Sequence, residues 1–127
     1  MWLLAFELQE PESSRQWKLA YDSREHGASM AALMNSVENM GPSLLLVEDT
    51  SGAVFGGYAA DAWTPNGQFY GATGHDSFVF SLQPQVAMYH STGCSENFQW
   101  CCENSEVRHS IVAGYRIDFI ITLFLIR

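Results

Sequence analysis

From Ser43 onward the apolar residues of this chain fall in short runs, each cut off by a polar or glycine-containing turn. That punctuation constrains the fold more than any other feature, because it imposes a succession of short strands. Leu44-Leu45-Leu46-Val47 is continuous and apolar, the pattern of a strand buried on both faces. Glu48-Asp49-Thr50-Ser51-Gly52 follows as a polar turn, and Ala53 to Ala59 returns as its hairpin partner. Gly56-Gly57 inside the returning strand points to a bulge or a close backbone approach. Pro65-Asn66-Gly67 is another turn, before Phe69-Tyr70-Gly71. Phe78, Phe80 and Leu82 alternate with Val79 and Ser81, and Val86 to His90 and Phe98 to Cys102 form two further strand candidates.

The residues before Ser43 are spaced differently. Gln9 to Ser14 is a polar, proline-containing loop. Trp17, Leu19 and Tyr21 alternate with Lys18, Ala20 and Asp22 as a half-buried strand, and Asp22 to Gly27 reads as a turn. Ser29 can offer its hydroxyl to a free backbone N–H and so start a helix. Met30, Leu33, Met34 and Val37 then fall on one helical stripe, and Gly41-Pro42 ends it. One helix among many short strands predicts a mostly β, α+β fold with a flanking helix, arranged as an antiparallel two-sheet sandwich. The expected buried core is Trp17, Leu45, Val47, Phe55, Phe78, Phe80 and Leu82.

A chain of 127 residues has the length of one domain. Fourteen acidic against six basic side chains give a net charge of −8. Nucleic acid and anionic membrane are thereby disfavoured as partners, because both need clustered Lys and Arg. The excess acid lies in residues 1–102, which hold eleven acids and three bases, whereas residues 103–127 hold three of each. Three cysteines, Cys94, Cys101 and Cys102, cannot all pair within the chain, and the odd count points to free thiols in a reducing compartment. Met1 to Phe6 is apolar but too short for a signal peptide. Phe119 to Ile126 is far short of the ~20 residues of a membrane-spanning helix. The expectation is a cytoplasmic protein with no membrane span.

No residue pattern demands catalysis. His75-Asp76 with Cys94 would make a Cys-His-Asp set if folding united them, but a solvated turn histidine and a strand-end cysteine explain the same residues. A zinc site could draw on His75, His90, Cys94, Cys101, Cys102 and His109. Their spacing lacks the close ligand pairs of structural zinc, and adjacent Cys101 and Cys102 on a strand point to opposite faces. Gly71-Ala72-Thr73-Gly74 lacks the Lys-Ser/Thr ending of a phosphate loop. No catalytic, cofactor or metal residue is therefore assigned.

The ordered features nevertheless resemble a known family. Trp17-Lys18-Leu19-Ala20-Tyr21, Gly27-Ala28-Ser29 opening a helix, and Gly41 to Asp49 are similar to the TLDc domain. The resemblance continues through Gly52 to Ala59, Trp63, Phe69-Tyr70-Gly71, Phe78 to Leu82, Tyr89 to Gly93 and Asn97-Phe98-Gln99. It implies a two-sheet sandwich with flanking helices, a role in oxidative-stress protection, and binding to the vacuolar proton pump (V-ATPase). No catalytic residues come with it. A cytoplasmic module held at an organelle membrane through that protein partner would follow.

The same resemblance divides the chain into an N-terminal extension (1–16), a partial TLDc-like domain (17–102) and a divergent segment (103–127). The glycine-rich segment and Phe-Gly-Leu-Trp-x-Asp strand of the family are absent after residue 102, which leaves the expected sandwich incomplete. A truncated splice form or a misread frame would give that pattern, as would divergence. The apolar run Ile117 to Ile126 suits only a strand covered on both sides. On the truncation reading it is an aggregation-prone substitute, and removing 117–127 should improve solubility at no loss. Two other functions remain open: a thiol-dependent redox protein using Cys94, Cys101 or Cys102, and a non-functional fragment.

Overall fold

The computed structural model describes residues 16–27, 29–71, 77–92, 94, 99–100 and 119–126. Strand β1 (Trp17–Asp22) leads directly into a single helical turn, α1 (Ser23–His26). The sequence reads as a turn here. Asp22 instead caps a short helix, accepting the Arg24 N–H at 2.8 Å, and Gly27 closes it at φ 85°. Helix α2 (Met30–Val37) begins as expected, with the Ser29 hydroxyl accepting from the Ala32 N–H. It ends before Gly41-Pro42, because the chain behind it is claimed from elsewhere. Glu38 bridges to Trp63, the Asn39 N–H donates to the Trp63 carbonyl at 2.9 Å, and Asn39 itself turns to φ 58°.

The remaining elements are strands: β2 (Ser43–Asp49), β3 (Val54–Ala59), β4 (Phe69–Tyr70), β5 (Phe78–Gln83), β6 (Ala87–His90), β7 (Gln99–Trp100) and β8 (Phe119–Ile126). Six of them form one antiparallel sheet in the order β1-β8-β2-β3-β5-β6, and β4 pairs with β7 in a separate two-stranded ladder. The α+β class follows directly.

The last strand occupies the middle of the first half of the sheet. Residues Phe119 to Leu125 pair with Asp49 back to Ser43, while Thr122 to Ile126 pair with β1. The run is therefore paired along both edges, well inside the sheet. This placement corrects the expectation that 117–127 is dispensable: removing β8 would separate β1 from β2 and expose the edge of each that β8 now pairs.

Alternation along the strands sorts the side chains onto two faces. Leu44, Tyr58, Phe78 and Phe80 are buried on the first, with Trp17, Leu46, Leu82, Met88 and Phe124 packed against them. Register puts Leu44, Tyr58 and Phe78 side by side across three strands. The Tyr58 and Phe78 rings are 5.5 Å apart, and those of Phe78 and Phe80 are 6.1 Å apart, in the tilted geometry aromatic pairs favour. Of the two readings of Gly56, the close backbone approach holds, while the irregularity in the ladder lies one step away. The β3–β5 register shifts at Val54/Phe55, and a Cβ at Gly56 would overlap the Leu45 carbonyl and meet the Phe80 ring at 3.0 Å. On the second face Tyr21 and Val37 are buried with Leu33, Met34, Leu45 and Trp63, where α2 lies on β1.

Two of the seven expected core residues, Phe78 and Phe80, are buried; Trp17, Leu45, Val47 and Leu82 are half-buried. Phe55 is a correction. It lies 44% exposed, because its register partners Val47 and Ser81 put it on the second face beyond the residues that pack with α2. Replacing Phe80 by Ala should therefore cost about 3–5 kcal/mol in urea unfolding. Replacing Phe55 by Ala should cost about 0.5 kcal/mol or less. Equal losses would contradict the assignment of the two faces.

Candidate functional site

The part of the second face not packed against α2 forms a groove of about 750 Å³ over β2, β3, β5 and β6. Its floor is a cross-strand row, Leu45, Gly57, Val79 and Tyr89, beside a second row formed by Val47, Phe55 and Ser81. Gly57 contributes no side chain to this floor between Leu45 and Val79. Phe55, Val79 and Tyr89 line it at 44%, 57% and 60% exposure. A solvated sheet face ordinarily alternates apolar-in with polar-out. Large apolar groups at these outward positions make a contiguous apolar surface instead.

Polar bonds build both ends of the groove. At one end the loop after β3 is pinned in four places. Trp63 donates its indole N–H to the buried Ser43 hydroxyl at 2.9 Å, and Ala60 N–H donates to Ser77 Oγ at 3.0 Å. The buried Gln99 amide pairs reciprocally with the Asp61 backbone, accepting from its N–H and donating to its carbonyl, both at 3.2 Å. Thr64 N–H donates to Tyr70 OH at 2.9 Å. The buried Ser43 and Gln99 side chains thereby meet the partners that burial requires. At the other end the β2–β3 turn closes on Asp49, whose Oδ1 accepts from Ser51 N–H, the Ser51 hydroxyl and Ala53 N–H. The Ser51 hydroxyl first, then the backbone N–H of Ala53, hold this carboxyl below its usual range.

A second polar cluster lies behind α1. Asp22 accepts from the Arg24 guanidinium at 2.7 and 3.0 Å, and the His26 imidazole Nδ1 accepts from the Asp22 N–H at 2.9 Å. Tyr21 adds its hydroxyl, which donates to the Gly27 carbonyl at 2.5 Å. The Arg24 side-chain bonds, then its backbone N–H, lower the Asp22 carboxyl from the usual 3.8 to about 2. Every partner of this network is local, so it is a clasp between β1 and the helices.

None of the chemistry weighed from sequence is assembled among the described residues. Cys94 is exposed, and His90 lies at the end of β6 with its ring 5.5 Å from that of Phe78. His75, Asp76, Cys101, Cys102 and His109 lie outside the described residues. Among the described residues no three His, Cys, Asp or Glu side chains come together to hold a metal, and no helix is long and apolar enough to cross a membrane. Local pattern assigns Leu45, Val47 and Phe55 to the core and so does not mark the groove that they line. Its signal was present in the sequence: Phe55 and Val79 occupy positions where a half-solvated strand would carry polar groups.

The class that this architecture defines is an α+β domain built on one antiparallel sheet, with an apolar groove beside its helix. The TLDc domain profile matches residues 1–123, and the chain belongs to the TLDc family. The match takes in most of the segment after residue 102 that the quoted motifs left out. Curated relatives include the MTOR-associated protein MEAK7 of Mus musculus, 37% identical over 90 residues, which are 71% of this chain and 19% of that protein. The Homo sapiens MEAK7 is 33% identical over 89 residues, covering 70% and 19%. Oxidation resistance protein 1 of Rattus norvegicus is 33% identical over 78 residues, covering 61% and 9%. The chain thus spans about a fifth of the length of the MEAK7 proteins it matches.

The Asp22 clasp predicts a pH dependence. A carboxyl that titrates lower in the folded chain than in the unfolded one stabilises the fold at any pH above the unfolded value. That contribution is lost as pH falls from about 3.8 toward about 2. Asp22→Asn keeps a capping side chain but removes the charge, so its urea midpoint should fall less steeply over this window than that of the parent chain. Parallel slopes would contradict the clasp.

Proposed function

We propose that the chain is a non-enzymatic interaction module of the TLDc type, acting by docking to another protein. The observation that carries this reading is the groove, where Phe55, Val79 and Tyr89 present an apolar surface to solvent. Such patches on soluble domains mark interaction sites. Its relatives bear names that tie them to mTOR association and to oxidation resistance. V-ATPase is the partner that the family resemblance implies, with protection against oxidative stress as the consequence, exerted in the cytoplasm at an organelle surface. A thiol-dependent redox activity of Cys94, Cys101 or Cys102 is the competing reading.

Two measurements separate these. The full chain should bind purified V-ATPase in surface-plasmon resonance. In peroxide-treated cells its protective effect should survive replacement of all three cysteines by serine. Absence of V-ATPase binding would remove the assigned partner. Loss of protection in the triple serine variant would transfer the function to the thiols.

A further inference from the structure

We infer that the groove over β2, β3, β5 and β6 is the seat of an amphipathic helix from a partner protein, apolar along one stripe and flanked by Lys or Arg. The inference rests on the reading of the chain as an interaction module and names the surface and the chemistry it takes.

Dimensions are the first argument. The four strands under the groove span three inter-strand spacings, about 14 Å at ~4.8 Å each. A helix with its side chains is ~10–12 Å across, so one helix fills that width and two do not. The same face already accepts a helix in this manner. Leu33, Met34 and Val37 of α2 pack on Tyr21 and Leu45 of the sheet. Leu45 is shared between that cluster and the groove, so an incoming helix would lie beside α2 on a continuous apolar floor. Gly57 adds no side chain to this floor, so the stripe meets Leu45 and Val79 on either side of bare backbone.

Charge selects the partner. After Arg24 the sequence has no Lys or Arg until Arg108, while Glu38, bridged to the lining residue Trp63, and Asp49, two positions beyond the lining residue Val47 on the same face of β2, border the groove at its two ends. A second copy of this chain would bring the same acid-rich surroundings against themselves, and like charges across an interface are repelled. An anionic lipid surface meets the same objection. A helix with basic flanks places opposite charge beside these acids while its apolar stripe covers Phe55, Val79 and Tyr89, the helix-in-groove mode of recognition.

The test uses the full chain and synthetic fluorescein-labelled peptides in fluorescence anisotropy. The first peptide carries Leu and Val at i, i+3, i+4 and i+7 with Lys at both ends. A second has Glu ends, a third has the same composition scrambled, and a fourth alternates apolar and polar residues as an extended strand. The Lys-ended helical peptide should bind at least about tenfold more tightly than the Glu-ended one. Its affinity should fall between 50 and 300 mM salt as screening lengths shorten from ~14 to ~6 Å. Val79→Glu should reduce binding at least about tenfold, and Leu19→Glu, an exposed site on the opposite face, should leave it unchanged. Circular dichroism of both variants confirms that the fold persists.

Equal binding of the Lys- and Glu-ended peptides, tighter binding of the extended or scrambled peptide, or insensitivity to Val79→Glu would overturn the assignment. So would concentration-dependent dimerisation abolished by Val79→Glu. V-ATPase binding that Val79→Glu leaves intact would remove the groove while the interaction reading stands. Loss of V-ATPase binding with peptide binding retained would do the reverse.

Discussion

The sheet depends on the pairing of β8 with β1 on one side and β2 on the other. β1 and β2 have no ladder between them, so the strand and helices at the start of the described chain join the β2-β3-β5-β6 meander through β8. Hydrogen bonding in two directions satisfies the backbone of an apolar run that would otherwise be a template for aggregation. The pairing brings residues from opposite ends of the sequence together, so its loop-closure entropy is lost before its contacts are gained. Early folding should therefore lie in the local β2–β3 and β5–β6 pairs, with β8 docking last.

The two faces of the sheet divide the work. The first holds the tight aromatic row of Tyr58, Phe78 and Phe80, where small changes in volume are costly. The second is shared between α2, clamped by Tyr21, Val37 and Trp63, and the groove. Gly56 and Gly57 connect these roles. Gly56 has no space for a Cβ against the Leu45 carbonyl, and Gly57 leaves the floor of the groove open. The polar loops at each end, held by Gln99, Ser77 and Asp49, fix the walls without filling the channel.

Much of this was legible from local pattern. Period-2 alternation located β1 and β5, the Ser29 cap and the Leu33-Met34-Val37 stripe located α2, and the polar run 48–52 gave the β2–β3 hairpin. Local pattern was silent wherever the partner was remote. The end of α2 is set by Trp63, far along the chain, and not by Gly41-Pro42. The exposure of Phe55 depends on how far α2 reaches across the sheet, which no short window records. The place of the C-terminal run is not legible locally, because its pattern specifies a strand covered on both faces but not which strands flank it. The groove was visible only as a departure from alternation, at Phe55 and Val79.

Native-state hydrogen exchange of the intact chain tests the central position of β8 most directly. Amides within Phe119–Ile126 that face β1 and β2 should exchange as slowly as those of Leu44–Val47, and both sets should slow or quicken together as denaturant is varied. Exchange of 119–126 at the rate of an open coil, with Leu44–Val47 still protected, would show that β2 holds its place without β8 and would contradict the account.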